Sequence, residues 1–582
     1  MKRYLNLLLI FLLITGLLIG CGKGNEATSE NQDSTTANVE NDNNDNAAEN
    51  DSEEETTEMS KEPITFTMYC VDPNPNYDEF QSPVAQKIKE LTGVTLEIEY
   101  EMGSDPKQRL GIMAASGDYP DLVYAKGDVN ILKEAGAILQ LDDLIEKYGP
   151  NIKKLYGDYL PRLRWSADDP HIYFIGTYRV HEVPLEPGGL FWLQHAVVKE
   201  LGYPEMKTVK DFENAIKEYY AKHPQINGQD TIPFTLLADG WRFLISVTNP
   251  AWAATGGSDD GEWYVDPETF KAVRHHTREE EREYFRWLNH MYNEGLLDPE
   301  SFTQQYDQYK AKIASGRVLA LADAEWEIAE AQTALRESGM EERMHGVYPI
   351  VLDETFECKV NQSAGYTGGV GVSITTNCED PERAIQFLDW MCTEEAQVLT
   401  HWGIEGEHWE YDENGKRVFL PEIEQQRHSD TEFSKKTGIG IYTYPFPQWG
   451  NGIKDSTGNY VEPDSEIEDI ISNYTDIEKE VLEGYGVKTW MDLFPSPEDF
   501  PVKPWGAAWM YNIDDPDLVE IDNRVRDDIG MRLIPQAIMA SPDKFDEIWD
   551  EYLEEMEKAG LPKLTEEMNR LIQEKMEMWG TK

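Results

Sequence analysis

Basic residues are scarce in this sequence. Its 582 residues carry 52 Lys and Arg against 110 Asp and Glu, a formal net charge of -58. Phosphate backbones are held by clusters of Lys and Arg, which are missing here, so nucleic acid is not an expected partner. The charge describes an acidic, soluble surface and says little about fold. Cysteine is sparse as well, with five positions: Cys21, Cys70, Cys358, Cys378 and Cys392. None forms a Cys-x-x-Cys pair or has zinc-like spacing. Cys358 and Cys378 are able to pair outside a cell, and four buried free thiols are the equal alternative for the last four positions. No nucleophile elbow, zinc motif or phosphate loop occurs. No internal repeat occurs either, which argues against a structural adhesin. No cofactor and no metal are expected.

Apolar residues make up 40% of the chain, with 16 Trp and 29 Tyr, so a sizeable folded body is expected. The length exceeds what one simple core organises and suits two lobes or more. Lys2 and Arg3 open the chain, and an apolar run follows over residues 5–19. That is a signal-peptide layout, too short for a membrane-spanning helix of about 20 apolar residues. The run closes on Leu18-Ile19-Gly20-Cys21, which resembles the lipobox of bacterial lipoproteins. The resemblance implies that residues 1–20 are removed and that the Cys21 thiol carries the lipid. Residues 22–60 are rich in Asn, Asp, Glu, Ser and Thr, with Val39 alone among polar neighbours. Such a stretch buries too little to offset the entropy of ordering. We therefore read 21–61 as lipidated Cys plus a disordered acidic linker. Its charge repels an anionic bilayer, so the lipid and not a basic patch makes the attachment. One acyl chain binds marginally and two anchor stably.

Secondary structure is legible from residue 62 onward. Residues 64–69 alternate behind Pro63, as a strand does; Val84, Ile88 and Leu91 have helical spacing that closes at Gly93; residues 94–100 alternate again. This strand–helix–strand order opens a βαβ unit and predicts a parallel sheet. Ligands lie beyond the carboxyl ends of such strands, which makes the loop 72–77 a candidate wall. Residues 110–115 predict a short helix and 122–124 a strand. Residues 318–321 predict another strand. Residues 541–579 predict packing helices, with Gly560 and Pro562 dividing them.

Several strings resemble one family. They are ASGDYPDLV (115–123), GAILQLDDLIEKYGPNIKK (136–154), LGYP with KTVKDF (201–212), EGLLDPESF (294–302), GGVG through PERAIQFLDW (368–390), GIEG (403–406) and SPDKFDEIW (541–549). In this order they are similar to the extracellular solute-binding proteins of carbohydrate ABC transporters, in the large lipoprotein branch of Gram-positive bacteria. The resemblance implies an α/β, two-lobed, periplasmic-binding-protein-like fold of type II, with a hinge crossed more than once and an interlobe cleft. It places the solute-binding domain at 62–582. One lobe then spans roughly 62–180 plus 350–410, and the other 181–349 plus parts of 411–582. It further implies a monomer on the outer face of the cell membrane that passes a carbohydrate, expected to be an oligosaccharide, to permease subunits. The alternatives are a surface-anchored glycoside hydrolase, whose two carboxylates would flank a sugar cleft, and a binding protein for a non-sugar solute.

Two departures from the family stand out. Many relatives carry Arg-x-Asp-Trp after Trp-Ile, whereas the run here is Trp192-Leu193-Gln194-His195-Ala196-Val197. Some relatives carry an acidic calcium loop before Ile-Pro, whereas residues 223–233 hold only Asp230 as an acid. Calcium needs six to eight hard oxygens, so no metal is expected there.

Sugars present apolar C–H faces and a rim of hydroxyls, and are held by flat aromatics with directed polar groups. Trp241, Trp252, Trp326, Trp402 and Tyr366 stand in loop-like contexts, and Trp192 sits at the family departure. Each has a core or rim aromatic as its plain alternative. Asp72 and Asp121 are the polar candidates, although turn capping is the commoner role for an Asp after Pro. Trp263, Trp287, Trp390, Trp549 and Trp579 fall on helical patterns and are read as packing.

Overall fold

A computed structural model describes residues 59–581 apart from Ser104 and Asp514. The signal peptide, Cys21 and the linker up to residue 58 lie outside the described residues. Nine strands build two main sheets: β1 (Ile64–Cys70), β2 (Val94–Tyr100), β3 (Leu122–Tyr124), β4 (Ile175–Gly176), β5 (Gly189–Gln194), β6 (Ile232–Thr235), β7 (Val318–Ala324), β8 (His345–Tyr348) and β9 (Gly371–Ile374).

The first sheet has the order β2-β1-β3-β9-β4. β1 runs parallel to β2 and β3, as the βαβ pattern predicts. β9 then enters antiparallel to both β3 and β4, so the sheet is mixed and not wholly parallel. Local chemistry explains the opening unit. Ser82 caps the helix Pro83–Thr92 by accepting from the Ala85 N–H at 3.3 Å, with Pro83 at its first turn. Val84, Ala85 and Ile88 pack inward. Gly93 ends it at φ +74°, where an added Cβ would stand 2.5 Å from the Lys61 carbonyl oxygen. The second sheet has the order β8-β5-β7-β6. There β5 is antiparallel to β7 and β8, while β7 is parallel to β6.

Each sheet has its own hydrophobic core. Residues from Phe66 to Val180 and from Tyr366 to Phe446 fill the first. Residues from Phe191 to Cys358 and from Ile470 to Met576 fill the second. The chain thus passes between cores three times, within 180–191, 358–366 and 446–470. The helices Phe545–Ala559 and Leu561–Trp579 complete the second core with Phe545, Trp549, Tyr552, Met556, Leu564, Met568 and Ile572. Burial of each such side chain is worth about 1.5–3 kcal/mol. The last helix also reaches the first core's segment: the Arg162 guanidinium lies 4.6 Å over the Trp579 ring.

All four described cysteines are free and buried. Cys358 belongs to the second core and Cys378 to the first, so they do not pair. Gln194, at the family departure, is fully buried and structural. Its Nε2 donates to the carbonyls of Gly316 (3.1 Å), Val318 (3.0 Å) and Arg343 (3.2 Å), and its Oε1 accepts from Arg343. Residues 225–230 form a small hairpin whose Asn227-Gly228 turn has φ of 52° and 76°, the primed turn favoured by Asn-Gly. Its Asp230 carboxylate accepts from the Gln225 side chain at 3.0 Å.

Candidate functional site

A cavity of about 1370 Å³ lies between the two cores. Its floor comes from the three passages of the chain: residues within 180–188, 360–365 and 448–465 line it, with Arg179 just before the first. The first core's side adds Tyr159 and Tyr178. The second core's side adds Trp192, Glu325, Trp326, Gln332 and Trp490, and the C-terminal segment adds Trp509. The walls therefore alternate flat aromatics with amides and carboxylates, the composition that holds a polar ligand with apolar faces.

Backbone features aim these groups. Gly189 opens β5 at φ +117°, and an added Cβ would meet the Asp323 carbonyl at 2.7 Å. This lets the first passage cross against the end of β7. Trp192 then points toward the cavity from β5, its indole N–H donating to the Asp323 carbonyl at 2.9 Å. β7 runs directly into the helix Glu325–Glu337, so Glu325 and Trp326 stand at the helix start on the cavity wall. Opposite, Tyr178 meets Trp509 edge to face with centroids 6.4 Å apart, and Trp509 is 44% exposed.

The cavity is acidic and internally paired. Glu186 accepts the Tyr474 hydroxyl and lines the cavity as an exposed residue packed among its walls. That withdrawal from bulk solvent, with the Glu478 and Glu325 carboxylates nearby, lifts it to about 7 against the pull of Tyr474. Burial likewise raises Glu325. Arg336 approaches Glu478 at 3.6 Å. Burial pushes His345 down to about 4, and its ring nitrogen bonds the Val318 carbonyl at 3.0 Å, so this histidine is uncharged. Among the described residues no group of three or more His, Cys, Asp or Glu side chains is arranged to hold a metal ion.

The eight ligand-binding candidates separate. Trp192 and Trp326 line the cavity, and Trp241 stacks on Trp326 beside it. Asp72 stands at the carboxyl end of β1, 3.2 Å from Lys126 Nζ. It accepts the Tyr444 hydroxyl, which meets the Tyr124 hydroxyl at 2.6 Å. After burial, the Asp72 charge also raises the cavity residue Tyr178, so this cluster lies near Tyr178 without lining the cavity. Asp121 is at the other end of the sheet, accepting from the Thr67 N–H at 2.8 Å and its hydroxyl at 2.7 Å. It ties β3 to β1, and no cavity residue contacts it. Trp252 is buried in the helix Asn249–Ala254. Tyr366 is buried in the first core against Tyr156 at 5.2 Å. Trp402 is buried against Phe419 at 4.7 Å. None of these four lines the cavity.

Sequence reasoning missed Tyr159, Tyr178, Glu186, Trp490 and Trp509. Two signals in the sequence could have found Glu186 and Trp509; none marks Tyr159, Tyr178 or Trp490. Residues 181–189 hold Pro184, Pro187, Gly188 and Gly189, a composition that marks connecting segments and that sequence reasoning passed over. Trp509 follows Pro504 and Gly506 in a loop-like stretch, the same context that drew notice to Trp241.

Comparison with known proteins identifies the class. The family described as bacterial extracellular solute-binding protein matches residues 84–403, more than half of the chain, and the protein belongs to it. A curated relative, the fructooligosaccharide ABC transporter substrate-binding protein FusA of Streptococcus pneumoniae, is 28% identical over 255 residues. That match covers 40% of this chain and 45% of FusA, less than half its length. Lipoprotein LipO of Bacillus subtilis is 22% identical over 369 residues, covering 60% of this chain and 68% of LipO. Among solved structures, FusA in complex with kestose has a TM-score of 0.61 at 19% identity, covering 88% of this chain and 99% of that one. A solute-binding protein from Bifidobacterium longum infantis described as HMO binding has a TM-score of 0.63 at 14% identity, over 88% of this chain and 98% of that one. The fold is that of the two-lobed type II solute-binding proteins.

Proposed function

We propose that the protein captures an oligosaccharide in the interlobe cavity and delivers it to the permease subunits of an ABC transporter. The observation that carries this is the cavity wall itself. Tyr178, Trp192, Trp326 and Trp509 offer flat apolar faces, and Gln332, Asn361, Gln362 and Gln448 offer donors and acceptors between them. A cavity of about 1370 Å³ exceeds the usual span of about 300–1,000 Å³ for small-ligand pockets, which favours an oligosaccharide over a single sugar. FusA and the Bifidobacterium protein, named for sugar ligands, share this fold. Closure of the two lobes on a ligand that touches both is the conformational step, with the three passages as its hinge. Cys21 anchors the chain by its lipid on the outer face of the cell membrane, and the protein works as a monomer without enzymatic turnover.

The test is a thermal-shift and calorimetric screen of the purified protein against fructo-, malto-, cello- and xylo-oligosaccharides and N-glycan fragments. At least one class is expected to raise the melting temperature and to come back uncleaved by mass spectrometry. Failure of every glycan to bind, or cleavage of one that does, overturns the reading.

A further inference from the structure

The second core's surface carries two large aromatic side chains in the open. Trp241 is 50% exposed and Trp326 is 55% exposed, and they stack on each other with centroids 5.8 Å apart and 22° between planes. Trp326 lines the cavity and Trp241 does not, so the pair forms a ledge that leads outward over the rim. The ledge is braced. Arg242 lies 4.6 Å over the Trp241 ring and 4.0 Å over Tyr306. Its Nε donates to buried Glu327 at 2.9 Å, and the Tyr306 hydroxyl donates to the Glu327 carbonyl at 2.9 Å. Two indoles fixed in this way meet a ligand with little rotamer freedom left to lose. An aromatic pair left half in water, braced from one side and continuous with a binding cavity, is a surface built to be covered.

Resting on the carbohydrate reading above, we propose that the Trp241–Trp326 ledge is an outer subsite for the end of a linear oligosaccharide that protrudes from the cavity. The C–H face of a sugar ring matches an indole face in shape and polarity. Continuity through Trp326 puts the next unit of a bound chain on Trp241. Short ligands end inside the cavity and do not reach it. Affinity therefore grows with chain length until the ledge is occupied, and Trp241 sets that preference.

The test uses the full chain and its W241A and W241F variants, titrated by calorimetry with fructo-, malto-, cello- and xylo-oligosaccharide ladders from dimer to octamer. For the ladder that binds, W241A should weaken the longest members about tenfold and leave the shortest unchanged, a loss equal to a stacked aromatic contact. W241F should restore most of it. An unchanged melting temperature separates this from a folding defect. Equal weakening at all lengths overturns the ledge, because Trp241 would then act through the cavity. No weakening at any length also overturns it. Failure of every ladder to bind the parent chain overturns the carbohydrate reading and the ledge with it. Length-independent binding of one ladder overturns only the ledge.

Discussion

Arg179 and Glu462 tie the end of the first core's segment to the third passage of the chain. Arg179 Nε donates to Glu462 Oε1 at 3.2 Å, and an Nη donates to Oε2 at 2.8 Å. Arg179 lies at the end of the first core's segment, just before the first passage, and Glu462 on the third passage. The fork-to-fork geometry fixes both direction and distance, which a lysine would not.

Glu462 is buried and depends on this partner. Arg179→Ala leaves its carboxylate, at the cavity lining, with only His401 Nε2 at 3.7 Å, a ring that burial keeps from taking a charge. Breaking a fully buried pair costs about 3–5 kcal/mol, and partial exposure of Arg179 reduces the expected loss to about 1–3 kcal/mol. Urea denaturation should show a lower midpoint, with Arg179→Lys between the two. An unchanged midpoint would remove the pair from any structural role.

Trp509 and Trp549 should behave in opposite ways. Trp509 is open to the cavity, so Trp509→Ala should weaken glycan binding about tenfold at constant melting temperature. Trp549 is fully buried between Phe285, Phe545 and Tyr552. Trp549→Ala should cost about 3–5 kcal/mol in stability through the cavity it leaves. Calorimetry and thermal denaturation on both variants separate the roles; loss of fold in Trp509→Ala would contradict its placement.

Gln194→Leu keeps volume and removes the amide that serves three carbonyls. Unsatisfied buried groups cost about 1–3 kcal/mol each where water does not replace the donor, so a loss of at least about 2 kcal/mol is expected. Ligand affinity of the folded variant should not change, because the side chain is fully buried and does not line the cavity. A variant of normal stability and weakened binding would reverse this assignment.

Asp323 contributes to the pH dependence, together with Glu186 and Glu281, whose carboxyls burial also raises. Burial raises its carboxyl from 3.8 to about 8, and Glu327 adds to the shift. The folded protein then holds a proton that the unfolded chain releases near pH 4. Stability from this group is present below about pH 4 and is lost as pH rises toward 8. Asp323→Asn does not titrate, so its melting temperature relative to the parent should become more favourable between pH 5 and pH 8. A difference constant across that range would show that Asp323 is ionised throughout.

Much of the first sheet was legible in the chain. The strands Val94–Tyr100 and Leu122–Tyr124 lie where alternation and turn residues put them, and Gly93 ends its helix as expected. The entry of Gly371–Ile374 beside Leu122–Tyr124 was not legible, because its partner lies about 250 residues away and pairing leaves no local pattern. The aromatic candidates show a sharper reason. Pro250 and Gly403 made Trp252 and Trp402 look like loop residues. Those residues instead mark a helix start and a helix end, where Pro and Gly are equally at home. The helices they bound pack inward and take the tryptophans with them. Trp241 has Gly240 before it at φ +58° but starts no inward-packing helix face, and its ring stays in water.

The cavity floor is made of the same residues that carry the chain from one core to the other. A ligand captured there as proposed would touch the segments proposed as the hinge. Selectivity and opening rate then draw on shared side chains, and a lineage that retunes one for a new nutrient also alters the other. The rim carries no such constraint. Trp241 is free to vary without disturbing the pivot, which makes the edge of the cavity the place where diet is expected to be written first.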